Sequence, residues 1–529
     1  MSERHGLLQS ASLISFFTAL SRVLGYFRDS RIAYLLGAGV EADAFNAAYR
    51  VANLLRRLVG EGAVSAAFVP VFSRRLAGGE GKREDAWRFA DSVLIALTTT
   101  LLAVIVTGIL AAPLMARLLL SGFAATPGKL ELAVELGRVM FPYALFIGLA
   151  ALAMGTLHSA RRFGAPAFGP IVANAAIISV SFLTGFFSTA SMALAVGVVV
   201  GGALHVASQV PALARMGWRP QWLGIRSAFD HPEVRAVARR MAPMIVAMGV
   251  VQINVLVGLQ FAAGMEHGSV TAVSLADRVM ELALGSYAVA ISTAILPLLS
   301  HQAAEGRTEE MKSTMAFACR MALFITVPAG VGLAALRHPI IEVLFQHGAF
   351  DAHATALTAR ALLLFALGLP AFSMVKIVAP AFYAAGETAA PVFAALGSMI
   401  LNVSLNIVLA GPLGSGGPAL ATSVSAGCNV AALMWLFFRR HGPFGFRAIG
   451  RSLGISVLSS ALMAALAAGL MAIPGVYAGG LLQRATALVG AIGAGIAVYL
   501  GASILLGARE PGELRVAMRA RLGGAERPA

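Results

Sequence analysis

The sequence predicts an all-α polytopic membrane protein with 14 transmembrane helices, arranged as two six-helix lobes plus two extra C-terminal helices. Three observations carry that prediction. Of 529 residues, 58% are apolar and only 12% charged, about half the charge of a soluble chain. Mean hydropathy is +0.81. Residues 163 to 214, 388 to 438, 452 to 483 and 485 to 508 contain no Asp, Glu, Lys or Arg, and each is long enough for at least one span of roughly 20 residues. Fourteen spans leave connections averaging about 12 residues. No soluble domain fits between them, because the longest polar stretch, Arg215 to Arg240, is shorter than the ~40 residues a small unsupported domain needs.

The spans are expected near 9–37, 41–73, 86–120, 131–158, 165–186 and 190–214, then 236–263, 270–301, 313–336, 354–384, 389–410 and 416–438, and finally 451–473 and 482–507. The first begins with an apolar run from Leu7 to Leu20. It is read as retained rather than as a signal peptide, since no small-x-small cleavage site follows and Arg22, Arg28, Asp29 and Arg31 come at once. Gly and Pro stop helices. The fifth and sixth spans therefore form a hairpin about Phe187-Ser188-Thr189-Ala190, and the eleventh and twelfth another about Gly411 to Pro418. Domain boundaries follow: 1–214, the cytoplasmic linker 215–235, 236–438, the last two helices in 439–507, and a tail at 508–529.

Alternate loops separate by charge. One side holds about 24 basic residues, among them Arg74, Arg75, Arg161, Arg162, the arginines from 215 to 240, Arg439 to Arg451 and the tail. The other holds roughly three, Lys129, Arg337 and Arg484. The positive-inside rule then places both termini in the cytoplasm. Net charge +15 thus reflects orientation, and no nucleic-acid partner is implied. The inside loop near Glu387 carries no basic residue.

An internal repeat is visible. Ala165-Pro166-Ala167-Phe168 and Ala390-Pro391-Val392-Phe393 lie 225 residues apart, and Val69-Pro70-Val71-Phe72-Ser73 and Leu296-Pro297-Leu298-Leu299-Ser300 lie 227 apart. Repeats of six helices share one orientation, so the lobes are expected to be related by a pseudo-two-fold axis along the membrane normal.

Charges inside three spans carry the functional reading. The first holds Arg22, Arg28, Asp29 and Arg31; the second holds Asp43, Arg50, Arg56, Arg57 and Glu61; the eighth holds Asp277, Arg278 and Glu281. Each mid-helix charge facing lipid costs about 2.5 to 3.5 kcal/mol. Four such arginines would cost about 10 to 14 kcal/mol, comparable to a whole protein's stability. They are therefore expected to share a wet cavity. Asp43, Asn46, Arg50, Asn53, Arg57 and Glu61 recur every three or four residues and form one stripe, from whose centre Arg56 lies about 140° away in a straight helix. A bend at Gly25 would turn Arg22 and Arg28 the same way. Local pairing, as of Arg278 with Glu281 at i, i+3, absorbs some charges. With seven arginines against five acids it does not absorb all. Surplus guanidinium forks suit phosphate or pyrophosphate.

Other polar groups say less. Lys376 either snorkels or adds to the cavity. His205 is expected as a satisfied core histidine. Asn254, Asn402 and Asn406 are weak cation ligands more often used for interhelical hydrogen bonds, and Gly197-Val198-Val199-Val200-Gly201 fits close helix packing. Cys319 and Cys428 are expected as small core residues. No HExxH, GxSxG, Walker A or redox CxxC pattern occurs, which argues against a hydrolase, ATPase or redox enzyme of familiar type.

Several motifs are similar to those of one known family. Ser21-Arg22-Val23-Leu24-Gly25-Tyr26-Phe27-Arg28-Asp29, Gly37-Ala38-Gly39 followed by Asp43-Ala44-Phe45, Asn53-Leu54-Leu55-Arg56-Arg57 with Glu61-Gly62-Ala63, Phe68-Val69-Pro70 and Ala276-Asp277-Arg278-Val279-Met280-Glu281 resemble the MurJ/MviN family. Phe141-Pro142-Tyr143, Arg162-Phe163 and Leu344-Phe345-Gln346-His347-Gly348 extend the resemblance along essentially the whole chain. That family comprises bacterial lipid II flippases of the multidrug/oligosaccharidyl-lipid/polysaccharide exporter superfamily. The resemblance implies two lobes enclosing a V-shaped cavity, with the last two helices forming a groove for the isoprenoid tail. It implies substrate-binding roles for Arg22, Arg28, Asp43, Arg56 and Arg278, with Ser21, Arg57, Glu61, Asp277 and Glu281 in support; here periodicity favours Arg57 where the family favours Arg56. Some members have a sodium site with acidic ligands where this sequence has only Asn254, Asn402 and Asn406.

The expected function is flipping of lipid II across the bacterial cytoplasmic membrane by alternating access, in a monomer touching membrane phospholipids and cell-wall synthesis machinery. No cofactor is implied beyond coupling to a monovalent cation such as sodium or to the membrane potential. The alternatives are export of another polyprenyl-linked saccharide or multidrug/cation antiport. A membrane phosphatase or transferase would need a His, Asp or metal constellation, and a scaffold would not need so many intramembrane charges.

Overall fold

The computed structural model describes the backbone of residues 2–60, 63–77, 80–285, 288–387 and 389–522; within it, side chains of 2–12, 55, 59–60, 63, 65–66, 80–82, 246–247, 250–251, 254, 285, 288–290, 292–294 and 517–522 are outside the description. Every predicted span is helical over most of its described residues. The first is α1 (Ser2–Leu36), the second α2 (Val40–Gly60) with α3 (Ala63–Leu76), the third α4 (Glu80–Leu119), and the fourth α5 (Lys129–Met140) with α6 (Tyr143–Ser159). Then come α7 (Gly164–Val180), α8 (Ala190–Ala214), a short α9 (Ile225–Asp230) in the polar linker, and α10 (Pro232–Ala263). The eighth span is α11 (Ser269–Gly285) with α12 (Ala288–Ala304). It is followed by α13 (Thr308–Ala335), a short α14 (Arg337–Phe345), α15 (Ala352–Ala384), α16 (Ala389–Leu413), α17 (Gly416–His441), α18 (Phe446–Ala472) and α19 (Leu481–Leu505), with α20 (Glu510–Leu522) in the tail. Among the described residues there is no strand.

Nine helical stretches among the described residues are long and apolar enough to cross a membrane: α4, α5 with α6, α8, α13, and α15 through α19. α7 is equally apolar but only 17 residues long. The helices bearing clustered charges, α1, α2 and α11, fall short because each ionised group lowers local hydropathy. Leu110, Leu114 and Leu118 follow one another at i, i+4 on α4 and are 75%, 61% and 62% exposed. A stripe that apolar belongs against acyl chains rather than water. The protein is a multi-pass membrane protein.

The expected repeat pairs Pro166 of α7 with Pro391 of α16, 225 residues on. Pro166 and Pro391 are each the third residue of their helix, within the first turn, where the missing N–H leaves no helical bond unmade.

The chain folds into two compact units, residues 1–270 with 347–351, and residues 271–346 with 352–529. In the first, α7 packs along α1 and α8, α6 packs against α3, α4 and α8, and α10 packs on α2, α3 and α4. Phe68, Phe72 and Phe89 stack in its core. Gly197 and Gly201 fulfil the packing expectation: a Cβ on Gly201 would stand 2.9 Å from the Ala173 carbonyl oxygen of α7. The polar linker is tied down by Asp91, which accepts from Trp218 Nε1 at 2.8 Å and from the Gln221 amide at 3.1 Å. In the second unit α15 is flanked by α13 and α17, and α18 packs between α13 and α19.

Two local expectations are corrected, and α1 is continuous through Gly25. Its i to i−4 ladder survives because Gly lowers helix propensity by only about 1 kcal/mol. The Gly411 to Pro418 turn is shorter than its composition suggests, since α16 continues to Leu413 and α17 starts at Gly416. Cys319 is a buried core residue, whereas Cys428 lies exposed on α17, where an apolar solvent accepts a weakly polar thiol.

Candidate functional site

In the first unit, polar groups gather where α1, α2, α7 and α8 approach one another. Arg28 on α1 is held by three hydrogen bonds: Nε and Nη2 donate to Asp29 Oδ1 at 2.9 and 2.6 Å, and Nη1 donates to Asn174 Oδ1 of α7 at 2.9 Å. The same Asn174 donates from Nδ2 to the Ser21 carbonyl at 3.2 Å. One amide therefore braces Ser21 and Arg28, seven residues apart on α1. Across from it the guanidinium carbon lies 6.0 Å from the centre of the Tyr49 ring on α2. Arg31 continues the row, donating to Ser181 Oγ at 3.3 Å and sitting over Tyr34 and Phe182. Arg22 is on an exposed face of α1.

On α2 one face is buried through Ala42, Ala44, Phe45, Ala47, Ala48 and Ala52, while Asn46, Arg50, Asn53, Arg56 and Arg57 are only half-buried. Arg56 Nε donates to Asn53 Oδ1 at 2.5 Å, so its long side chain reaches back to the stripe. The His205 ring fills the space that a side chain on Gly169 would take, 2.2 Å from an ideal Cβ. It is half-buried, packed between α7 and α8. Glu61 lies outside the described residues.

Asp43 is placed differently. It is 1% exposed, at the start of α2, and its Oδ2 accepts from Lys129 Nζ of α5 at 2.8 Å and from the Gly268 amide at 2.8 Å. Lys129 is itself buried, 3.4 Å from His267 Nδ1 and over the Phe123 ring. This buried pair joins α2, α5 and the loop after α10.

In the second unit, Arg278 Nη1 stands 3.8 Å from Glu281 Oε2 on α11. That is within ion-pair range but beyond a good hydrogen bond. Asp277 is half-buried beside them, and Lys376 of α15 lies exposed within electrostatic reach of Glu281. Asn402 and Asn406 are buried on α16 and used for packing. Asn402 Nδ2 donates to Thr422 and Ser425 on α17 at 3.4 and 3.3 Å, and Asn406 Nδ2 donates to Asn402 Oδ1 at 3.1 Å. The Asn254 side chain lies outside the described set. Among the described residues no group of three His, Cys, Asp or Glu could hold a metal ion.

Sequence reasoning passed over Asn174, Lys129 and His267. Asn174 stands in a charge-free run, invisible to a search for intramembrane charge. Lys129 reads as an ordinary loop residue until its carboxylate partner is seen. The available signal was Asp43 itself, an acid at the end of a span that calls for a cation.

Chemically, the first unit offers guanidinium groups already fixed in direction, which is what binding a polar anion within a bilayer requires. Fold and site together define a multi-pass membrane transporter. An inward-facing MATE family transporter of the MOP superfamily shares the fold at a TM-score of 0.63, with 16% identity over 82% of this chain and 95% of that one. The model of the family "Lipid II flippase MurJ" matches residues 32–492, and the chain belongs to that family. It is 34% identical to the "Probable lipid II flippase MurJ" of Vibrio cholerae over 513 residues, 95% of this chain and 97% of the relative. To the "Lipid II flippase MurJ" of Burkholderia cenocepacia it is 34% identical over 445 residues, covering 83% and 85%. A solved lipid II flippase MurJ in an inward closed conformation superposes with a TM-score of 0.77 and 27% identity, over 93% of this chain and 98% of that one.

Proposed function

We propose that this protein carries lipid II, the polyprenyl-pyrophosphate-linked peptidoglycan precursor, from the inner to the outer leaflet of the bacterial cytoplasmic membrane. Family membership supports the substrate. The bracketed Arg28 guanidinium, half-buried in a helix of a bilayer-spanning protein, is the observation that carries the chemistry. The pyrophosphate and headgroup enter a cationic cavity from the cytoplasm while the tail stays in lipid, and alternating access of two lobes, 1–214 and 236–438, delivers them outside. Fourteen crossings, cytoplasmic termini and a pseudo-two-fold relation of the lobes belong to the same reading. The 225-residue spacing of the Pro166 and Pro391 motifs supports the repeat, and the charge asymmetry of the loops supports the orientation. The last two helices carry the tail groove. The protein acts as a transporter without chemistry on its cargo.

Arg22, Arg28, Arg56 and Arg278 are assigned to the headgroup, with Arg57, Ser21, Glu61, Asp277 and Glu281 in support, and Asp43 holding its end of α2 through Lys129. Coupling is assigned to the membrane potential rather than sodium, since Asn406 donates to Asn402, Asn402 donates to α17, and neither brings an acid. The test is reconstitution. Arg22→Ala, Arg28→Ala and Arg278→Ala should each abolish lipid II translocation in vesicles while the purified protein stays monodisperse and helical. Wild-type transport by any one of them removes that residue from the site, and by all three overturns the cationic-cavity reading.

A further inference from the structure

A second cationic chamber lies within the carboxy-terminal unit, at the end where α13 and α18 begin and α19 gives way to α20. It measures about 730 Å³. Its floor is apolar, with Ala316, Phe444 and Ile455, and its walls hold Lys312, Arg320, Arg447, Arg451 and Arg509 against Glu309, Glu510 and Glu513. All three acids are already matched. Glu309 accepts from Lys312 at 2.7 Å, and Glu510 and Glu513 both accept from Arg320, at 2.8 and 2.9 Å. Arg447, Arg451 and Arg509 make no ion pair among the described residues.

Two features mark this as a built site rather than a solvated basic face. Ser452 lines the chamber, is 4% exposed, and its Oγ has no hydrogen-bond partner among the described residues. A buried hydroxyl left unmatched is an opening for a ligand atom. In addition, Arg447 and Arg451 lie one turn apart at the start of α18, whose N-cap, Gly445, supplies no side-chain cap. Like charges at i, i+4 repel, and cations are unfavourable at a helix N-terminus. An anion seated among them relieves both conflicts and meets the free amides of the first turn.

We propose that this chamber binds a phosphate-bearing ligand, the headgroup of an anionic phospholipid in the inner leaflet, through Arg447, Arg451, Arg509 and the Ser452 hydroxyl. The lipid source is favoured over a soluble phosphate by what adjoins the chamber. Beyond it α18 exposes Leu453, Val457, Leu458 and Leu462, a path for acyl chains, and basic pockets at the ends of spanning helices hold such headgroups. The site is distinct from the arginines assigned to transport and does not depend on that assignment.

The experiment measures binding of phosphatidylglycerol, phosphatidylcholine and inorganic phosphate to the purified, delipidated full chain at fixed salt. Saturable binding of phosphatidylglycerol but not phosphatidylcholine is expected. It should weaken roughly tenfold or more in Arg447→Gln/Arg451→Gln/Arg509→Gln and less than twofold in Arg215→Gln/Arg219→Gln/Arg226→Gln, a charge-matched change elsewhere. Should the first triple variant aggregate, Ser452→Ala replaces it, with a loss of a few-fold expected. Saturable inorganic phosphate binding that alone responds to these changes would transfer the site to a soluble phosphate ester and overturn the lipid assignment. Equal losses in both triple variants, or no saturable binding of either anion, overturn the site itself.

Discussion

Asn174 does more for the site than its neutral side chain suggests. Both ends of its amide are used, one on Arg28 and one on the Ser21 carbonyl. Asn174→Ala should cost about 1.5 to 3 kcal/mol, the range for a hydrogen bond to a charged group, and lower translocation by releasing Arg28. Asn174→Asp should keep a bond to Arg28 but lose the donor to Ser21, and so retain more stability. Thermal unfolding of the purified variants, compared with their rates in vesicles, separates bracing from binding. Lys129→Met is expected to be harsher, since it removes the cation paired with the buried Asp43 carboxylate; breaking such a pair costs about 3 to 5 kcal/mol. Asp43→Asn added to Lys129→Met should recover part of the loss, and no recovery would show that the pair is not a unit. The charges themselves were legible, because an arginine among apolar residues is conspicuous in any sequence. Their partners were not. Asn174 is 146 residues from Arg28 and Lys129 is 86 from Asp43, and only the fold sets such distances.

At the scale of elements, helix positions followed from hydropathy to within a few residues, because bilayer thickness fixes how long an apolar run must be. Interruptions were harder to foresee. Pro142 separates α5 from α6, yet Pro113, Pro211, Pro328 and Pro370 sit inside continuous helices. Neighbouring helices in a membrane can satisfy the carbonyl that a proline frees, so composition alone does not say which prolines divide a span. The short helices α9, α14 and α20 left no hydropathy signal at all. Turns between elements test how tightly the first unit is closed. Gly268 has φ +89°, and a Cβ there would stand 2.4 Å from the Ala38 carbonyl oxygen; Gly128 has φ +79° with nothing within 4 Å. Both residues need the left-handed region, which costs a side chain about 1 to 2 kcal/mol. Gly268→Ala adds a backbone clash beside the Asp43 pair, about 1 to 3 kcal/mol more. It should therefore unfold at a clearly lower temperature than Gly128→Ala. Equal melting temperatures would mean that the loop after α10 shifts freely away from Ala38.

Across the whole molecule, the excess of basic residues on alternate loops and the surplus of arginine in the spans act on one quantity, the work done by the membrane potential. An elementary charge crossing the full field gains or loses about 2.3 kcal/mol per 100 mV, about a 50-fold bias. In the proposed orientation, with the basic loops inside, the electrical gradient pushes an anionic headgroup outward. The proposed return step moves a cavity richer in Arg than in Asp and Glu the other way, and the same gradient favours it. On that reading both halves of the cycle run downhill on one field, and the proposal needs no bound ion to reset the protein. The expected result is specific in sign. In vesicles with the basic loops inside, an inside-negative potassium diffusion potential should raise the lipid II flipping rate severalfold, and collapsing it with an ionophore should return the rate to baseline. Reversing its polarity should slow the rate below baseline. Replacing sodium with choline at constant potential should change little. Rates that ignore the potential but follow sodium would move the energy source to a cation site and leave the cavity charges to binding alone.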